Sequence, residues 1–369
     1  MLSDREIIFL SERDPRDPLC RFYFDVLATQ LASRGMVVRS ISPREDLTTL
    51  LDPSKQSVIN FFYKDADAIA AIKQLKRKEI TSICFCSDVE GYSNYQQAYE
   101  VAHAFVCPSP MHQQILQYVY TLPIYVLREA IDPILKNITT KKLSHQGINM
   151  VWFGFSESYQ RSMVSLEPVI IDALQNNWIN TFTIISSDSL RVSLPRDFKF
   201  VEFEIEKFEE QIQSFEFTIL SHAPLDLHLN TYIKSPNKAC SAIVSGIIPI
   251  CSDTPNYRLL MDELHLSSYI FNSSSALCKI LKELSERTTQ DDFDSKWRYA
   301  NGLVHKMYSA ESQCDEYLSI LDGLAGEHKD VSLRNSVRLY TPQNTEIKLR
   351  FYLRQQLGKL KRKFGISRS

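Results

Sequence analysis

Short apolar runs alternate with amphipathic stretches twice along this chain of 369 residues, and this alternation restricts its possible folds more than any other feature. In residues 1–132 the strand candidates are Glu6–Leu10, Met36–Ile41, Ser57–Phe61, Thr81–Cys86, Ala104–Cys107 and Ile124–Leu127. The helix candidates between them are Leu19–Ser33, Ala66–Lys78, Tyr95–Ala102 and Pro110–Tyr118. Strands that alternate with helices of this length form right-handed βαβ units, so we predict an α/β domain with a parallel sheet.

The same alternation restarts after a polar stretch at residues 133–147, which we interpret as a linker. The second set of strand candidates is Ile148–Phe153, Thr181–Ser186, Phe200–Phe203, Phe217–Ser221, Ile247–Ser252 and a short Tyr269–Phe271. The helix candidates are Gln160–Asn176, Phe208–Ser214, Pro236–Ser245, Tyr257–Leu264, Ser275–Glu286 and long helical patterns within Asp291–Leu324. A single core rarely grows beyond roughly 250–300 residues, so residues 148–325 are predicted to form a second Rossmann-like domain.

The composition is that of an ordinary globular protein, with 44% hydrophobic and 23% charged residues and a net charge of −2. This charge gives no general attraction to nucleic acid. No apolar run is long enough for a signal peptide or a membrane span, so we expect a cytoplasmic protein. The eight cysteines lie mostly in apolar runs without a zinc-type spacing, which favours buried thiols in a reducing compartment and no bound metal.

Residues 326–369 form a basic C-terminal extension. From residue 346 onward it carries eight lysines or arginines and one acidic residue. Leucines at helical spacing within Thr345–Phe364 predict an amphipathic helix. Such a helix suits the anionic inner face of a membrane, and packing of the helix onto the first domain is an equally good interpretation.

The strongest local signal is a helix that begins at the carboxyl end of a strand in the second domain. Ser235 fits the N-cap, Pro236 the first helical position and Gly246 the residue just after the end. The free N–H groups at such a helix start attract anions, and Lys234 and Lys238 add two positive charges there. The pattern therefore predicts a diphosphate site, although it also fits an ordinary capped helix with two solvated lysines.

The region from residue 234 to 260 resembles the C-terminal domain of GT-B glycosyltransferases of the group 1, or family 4, type. The matching elements are Lys234-Ser-Pro-Asn-Lys238, the turn Ala242-x3-Gly246-x2-Pro249-Ile250, and Pro255-Asn-Tyr257. A second similarity is the apolar strand that ends at Gly154. The resemblance implies two Rossmann-like domains that face a cleft, and a metal-independent transferase that makes bacterial surface glycan. It implies a nucleotide-sugar co-substrate, a glycan or lipid-linked acceptor and no separate cofactor.

The resemblance also assigns roles to residues. Lys234, Ser235, Asn237 and Lys238 would hold the donor diphosphate, Gly154 would let it approach the backbone, and Tyr257 would belong to the donor loop. Many retaining members carry two glutamates eight positions apart, but here these positions are Ile233 and Ser241. Asp226 is the nearest acidic residue on the same loop and is the candidate substitute.

Acceptor contacts and a proton acceptor are expected from the first domain. Asp88 follows the fourth strand directly, and Asp14 lies in the carboxylate-rich loop after the first strand. A carboxylate can take the proton of an acceptor hydroxyl, so Asp88, and after it Asp14, are the candidate catalytic residues. Both aspartates also fit solvated loop charges or helix caps. In the second domain, His222 and His228 flank the donor loop, and each either contacts the donor or forms a hydrogen bond with the backbone.

The sequence thus predicts a glycosyltransferase. Two other functions stay open. A non-catalytic binding or scaffold protein fits the missing glutamate pair, and a nucleotide-sugar epimerase fits the same architecture.

Overall fold

A computed structural model describes residues 5–327, apart from residues 13, 15–16, 53, 76–79, 89–91, 136–142, 144–146 and 223–229. The predicted tail helix Thr345–Phe364 lies outside the described residues, as do Asp226, His228 and most of the predicted linker.

The first lobe contains a six-stranded parallel sheet in the order β2-β1-β3-β4-β5-β6. Its strands are β1 Arg5–Leu10, β2 Val37–Ile41, β3 Gln56–Phe62, β4 Ile80–Phe85, β5 Ala104–Cys107 and β6 Ile124–Val126. Its helices are α1 Val26–Ser33, α2 Leu47–Leu50, α3 Ala66–Gln74, α4 Tyr92–Tyr99 and α5 Pro110–Gln117. The predicted parallel sheet is confirmed, and it forms because β3, β4 and β5 carry apolar side chains that are buried between layers of helices.

The predicted helix Leu19–Ser33 does not begin as a regular α-helix. Residues Cys20–Asp25 form a π-helical turn, and α1 continues from it. Phe22, Tyr23 and Phe24 are all buried, and the wider π turn allows these three neighbours to reach the core together. Phe24 stacks on Phe62 with ring centroids 4.2 Å apart, which fixes the turn against β3.

The second lobe repeats the plan with the strand order β12-β11-β10-β7-β8-β9, again all parallel. Its strands are β7 Asn149–Phe153, β8 Thr181–Ser186, β9 Lys199–Glu202, β10 Phe217–Leu220, β11 Ile248–Ser252 and β12 Ile270–Phe271. Its helices are α6 Ser156–Ser162, α7 Glu167–Gln175, α8 Phe208–Ile212, α9 Asn230–Ile233, α10 Asn237–Val244, α11 Pro255–Glu263, α12 Ser274–Arg287 and α13 Gln290–Tyr308. The prediction of two Rossmann-like parallel-sheet lobes is therefore confirmed.

One predicted helix of this lobe is interrupted. Instead of a continuous Gln160–Asn176, the structure has α6, a 3-10 turn at Val164–Leu166, and then α7. Pro168 lies in the first turn of α7. A proline inside a helix removes a backbone hydrogen bond and clashes with the preceding turn, so the chain starts a new helix there.

The last described helix, α14 Ala310–Glu327, returns to the first lobe. Although residues 148–325 were predicted to form the second domain, α14 joins the other core through Cys314, Tyr317, Ile320, Leu321 and Leu324. Ser309 has an extended conformation between α13 and α14 and redirects the chain. The Tyr317 hydroxyl then donates to Asn60 Oδ1 of β3 at 2.7 Å. The first lobe is thus completed by a segment nearly 200 residues beyond its last strand.

Candidate active site between the two lobes

The start of α10 lies at the carboxyl edge of the second sheet, between β10 and β11. The helix begins at Asn237, and Pro236 occupies the position before it, one residue later than predicted. The Asn237 N–H donates to Ser235 Oγ at 3.3 Å. Asn256, which sequence reasoning missed, donates its side-chain amide to the Lys234 carbonyl at 2.9 Å. Asn256 is buried, so this bond fixes the loop that leads into the helix.

Lys238 projects from the first turn of α10 toward the end of β7. Its Nζ donates to the Phe153 carbonyl at 3.2 Å and lies 5.5 Å from the ring centroid of Trp152. Burial and the nearby Lys234 charge lower the pKa of Lys238 to about 8. Removal of an ammonium group from water disfavours its charged form, so this lysine is mostly protonated at neutral pH but loses its proton near pH 8.

Gly154 is the residue that makes room for this ammonium group. A Cβ atom at Gly154 would lie 2.5 Å from Lys238 Nζ and 3.1 Å from two atoms of the Trp152 ring. The Gly154 carbonyl accepts a hydrogen bond from Ser186 Oγ at 2.8 Å, which holds the turn in place. The missing side chain therefore provides the space in which Lys238 lies against the strand end.

His222 and Tyr257 form a stacked pair beside the lysines, with ring centroids 4.9 Å apart and planes inclined by 15°. Burial, followed by the charges of Lys238 and Lys234, lowers the pKa of His222 to about 3. His222 is therefore neutral at physiological pH. Tyr257 is only 2% exposed, so it lies beneath His222 and supports that ring from the protein interior.

Across the cleft, Asp88 follows β4 and is held by several partners. It accepts hydrogen bonds from the Tyr63 hydroxyl at 2.5 Å and from Lys64 Nζ at 2.6 Å. Burial raises the pKa of Asp88, but the bonds from Lys64 and Tyr63 and the charges of Lys64 and Lys234 outweigh burial and lower it. The Asp88 carboxylate is therefore ionised at neutral pH and faces the second-lobe lysine.

Lys234 is the exposed cation between the lobes. Its charge acts on Asp88, on Glu129 and on the buried His112, which all belong to the first-lobe side. The lobes also touch directly here, because Ser109 Oγ donates to the Ile233 carbonyl at 3.0 Å. Residues 234–238 consequently face the interlobe cleft.

Glu129 is a site residue that sequence reasoning missed. It lies in the segment after β6 and is 6% exposed, and the nearby side chains of Ser235 and Asn237 favour its ionised form. Burial raises the pKa of this carboxyl. No pattern in the sequence marks Glu129, because its position depends on how the two lobes meet.

Asp14 lies apart from this cluster. It is exposed in the loop after β1, and β3 separates that strand from β4. Adjacent strands lie about 4.8 Å apart, so the ends of β1 and β4 are separated by roughly 10 Å. Of the two predicted catalytic carboxylates, Asp88 is the one whose pKa the charge of Lys234 lowers.

The two positions at which the resemblance would place glutamates are apolar or buried in this chain. Ile233 is 0% exposed and Ser241 is 9% exposed. Neither side chain offers a charged group to a ligand. Among the described residues, no group of three His, Cys, Asp or Glu side chains is arranged to hold a metal ion.

Solved structures show that this architecture is the GT-B fold. The chain is similar to TarM, with a TM-score of 0.59, 11% identity, and an alignment that covers 75% of this chain and 57% of TarM. The chain therefore spans less than two thirds of that protein's length. It is also similar to WaaG, a glycosyltransferase involved in lipopolysaccharide biosynthesis, with a TM-score of 0.57, 12% identity, and coverage of 86% and 100%.

A third similar structure is an alpha-glucosyltransferase in complex with UDP and a 13-mer DNA. Its TM-score is 0.60 at 11% identity, and the alignment covers 86% of this chain and 99% of that protein. No family model matches the sequence, and no curated protein matches it. At identities of 11–12% the similarity defines the fold but not the reaction.

Proposed function

We propose that the protein is a glycosyltransferase that transfers a sugar from a nucleotide-sugar donor to a glycan or lipid-linked acceptor in bacterial surface polysaccharide synthesis. The observation that carries this proposal is the cluster of Lys234, Lys238 and the α10 start, which faces Asp88 across the cleft. The similarity of the fold to WaaG supports the surface-glycan assignment.

The donor diphosphate would lie between Lys238 and the first turn of α10. The first N–H groups of a helix have no partner within the helix and carry its positive dipole end. Lys234 and Lys238 neutralise the negative charge that develops on the leaving diphosphate, which is the role a metal ion has in other transferases. Ser235 and Asn237 shape the helix start, and Asp226 remains the predicted contact for the ribose or sugar.

In the transfer step the acceptor oxygen bonds to the anomeric carbon as the bond from that carbon to the diphosphate breaks. The acceptor proton passes to the Asp88 carboxylate, which is ionised at neutral pH. Lys64 orients this carboxylate through its 2.6 Å bond. Asp14 remains a predicted second acceptor-side group. No metal is needed for this step, because the two lysines provide the compensating charge.

A panel of UDP-, GDP-, TDP- and CMP-sugars, measured by thermal shift, tests donor binding. We expect one nucleoside diphosphate family to raise the melting temperature and Lys238→Ala to reduce that shift. Lys279→Ala is a matched control, because Lys279 lies exposed on α12 of the same lobe. If no nucleotide stabilises the native protein, the proposal is wrong.

A second candidate function is nucleotide-sugar binding without catalysis. It is favoured by the apolar Ile233 and buried Ser241 at the glutamate positions, and by the lowered pKa of Asp88, which weakens it as a base. Saturable binding of a donor without hydrolysis or transfer, in the presence of candidate acceptors, would support this function over the first.

A further inference from the structure

The start of α10 already has an anionic partner from the other side of the cleft. Glu129 reaches Ser235 and Asn237 from the segment after β6. It is 94% buried, and its Oε2 atom has no hydrogen-bond partner among the described residues. A buried carboxylate with one unsatisfied oxygen costs free energy, so Glu129 does not contribute to the stability of the fold through its charge.

The groups that face Glu129 come from three elements. Lys234 precedes α10, Cys240 lies within α10, and Tyr23 lies on the π-helical turn before α1. Only Lys234 carries a positive charge. Lys234 is also one of the two lysines proposed to hold the donor diphosphate, so the carboxylate and the diphosphate depend on the same cation and the same helix start.

We propose that Glu129 is a positioning residue which, when ionised, occupies the anion-binding start of α10 from the first lobe and weakens diphosphate binding there. This inference rests on the proposed function, because it concerns the same donor site. Two like charges at one helix start repel each other. Donor binding therefore requires Glu129 to gain a proton or to move away from Ser235 and Asn237. Because Glu129 belongs to the first lobe, binding of the donor is then coupled to the contact between the lobes.

Burial raises the pKa of Glu129, so its protonation falls closer to neutral pH than that of an ordinary glutamate. Diphosphate affinity should then increase as the pH falls and Glu129 loses its charge. Lys238 contributes a separate dependence at higher pH, because its pKa is about 8. The two residues thus affect different pH ranges and can be distinguished.

Titration calorimetry with inorganic pyrophosphate and with UDP, from pH 5 to 9, tests this proposal on the full chain. Glu129→Gln keeps the shape and one acceptor oxygen but removes the charge. We expect it to tighten binding of both probes at pH 7 by at least about fivefold. Below pH 7 the variant should keep only the dependence that comes from ionisation of the phosphate groups of the probes, which titrate at about pH 6. The dependence near pH 8 should remain.

Glu216→Gln is the matched control. Glu216 is 2% exposed and accepts from the Asn149 N–H at 2.7 Å, at the opposite edge of the second sheet. Its neutralisation should leave both affinities unchanged. Glu129→Ala provides a second variant if Glu129→Gln does not fold, and it should also tighten binding.

The possible results separate the two proposals. Binding by the native protein with equal or weaker binding by the Glu129 variants overturns the role of Glu129 and leaves the donor site standing. If Glu129→Gln binds pyrophosphate more tightly than the native protein does and neither binds UDP, the role of Glu129 is supported. The proposal that the donor is a nucleotide sugar is then wrong for this nucleotide. Absence of binding by every variant overturns both.

Discussion

At the scale of single residues, the site depends on how Lys238 is accommodated. The ammonium group lies in the space that Gly154 leaves beside Trp152 and bonds to the Phe153 carbonyl. Such a buried lysine is less stable in its charged form than a lysine in water, so the folded protein holds this proton more weakly than the unfolded chain does. An incoming diphosphate would reverse this preference.

The first prediction concerns proton uptake by Lys238. At pH 8 nucleoside diphosphate binding should take up protons, and affinity should decrease as the pH rises through about 8, the pKa of this lysine. Lys238→Met should weaken binding by at least about tenfold, since a charge-assisted hydrogen bond contributes roughly 1.5–3 kcal/mol. Calorimetry in buffers of different ionisation enthalpy measures the uptake. Proton uptake that persists in Lys238→Met would assign it to another group.

The same lysine makes the free energy of unfolding depend on pH, and this dependence has the opposite sign to that of ligand affinity. Its lowered pKa means that the unfolded chain binds more protons between pH 8 and the ordinary lysine range. The contribution of Lys238 to the free energy of unfolding should therefore increase with pH across that window. In Lys238→Met this part of the pH dependence should be absent from denaturant titrations of the ligand-free protein.

The second prediction concerns Gly154→Ala. The new Cβ atom would lie 2.5 Å from Lys238 Nζ, so the ammonium group must move away, and the nearby Trp152 ring limits how the site relaxes. We expect weaker nucleotide binding. Gly302→Ala is the control, because nothing lies within 4 Å of a Cβ atom at Gly302 on α13. Unchanged binding in Gly154→Ala would show that the position of Lys238 is not needed for the ligand.

At the scale of elements, α14 holds the first lobe and the interlobe segment together. Gln313 donates from Nε2 to the Phe22 carbonyl at 2.7 Å and to the Arg128 carbonyl at 2.8 Å. Arg128 is bound in turn by Glu316, one turn further along the helix. This helix therefore fixes the π-helical turn and the residue that precedes Glu129.

The third prediction follows from these contacts. Gln313→Ala removes the donor of one buried and one half-buried carbonyl group, so it should lower the free energy of unfolding by about 1–3 kcal/mol. Ser319→Ala, at an exposed position of the same helix, should change stability little. Denaturant titration of the three proteins measures this difference. Equal stability of Gln313→Ala and the native protein would show that water replaces the lost donor.

At the scale of the whole molecule, two parallel-sheet lobes place their carboxyl edges on one cleft. The second lobe contributes Lys234 and Lys238, and the first lobe contributes the carboxylates of Asp88 and Glu129. Within the described residues, no helix is both long and apolar enough to cross a bilayer. The basic residues from position 346 onward are the predicted contact with an anionic membrane surface.

The fourth prediction concerns this tail. Deletion of residues 346–369 should weaken binding to vesicles that contain anionic lipid, since each basic residue near such a surface contributes about 1 kcal/mol. Flotation with anionic and neutral vesicles measures this, and circular dichroism checks the fold. Loss of the fold on deletion would instead indicate that the tail packs on the protein.

The sequence by itself determined the architecture, because strands that are buried on both faces of a parallel sheet consist of nearly continuous apolar residues. Ala104–Cys107 and Thr181–Ser186 were predicted with their observed bounds. It also marked the α10 start through Ser235, Pro236 and the two lysines, since capping and charge are local properties. Their role in donor binding stays a prediction.

Only the tertiary structure decided which groups meet at the cleft. The return of α14 to the first lobe, the support of Tyr257 beneath His222 and the position of Glu129 on the α10 start all join residues far apart in the chain. The physical reason is that hydrophobic periodicity specifies which face of an element is buried but not its partner. Contacts between distant polar side chains follow from the packing of whole lobes and leave no periodic pattern in the sequence.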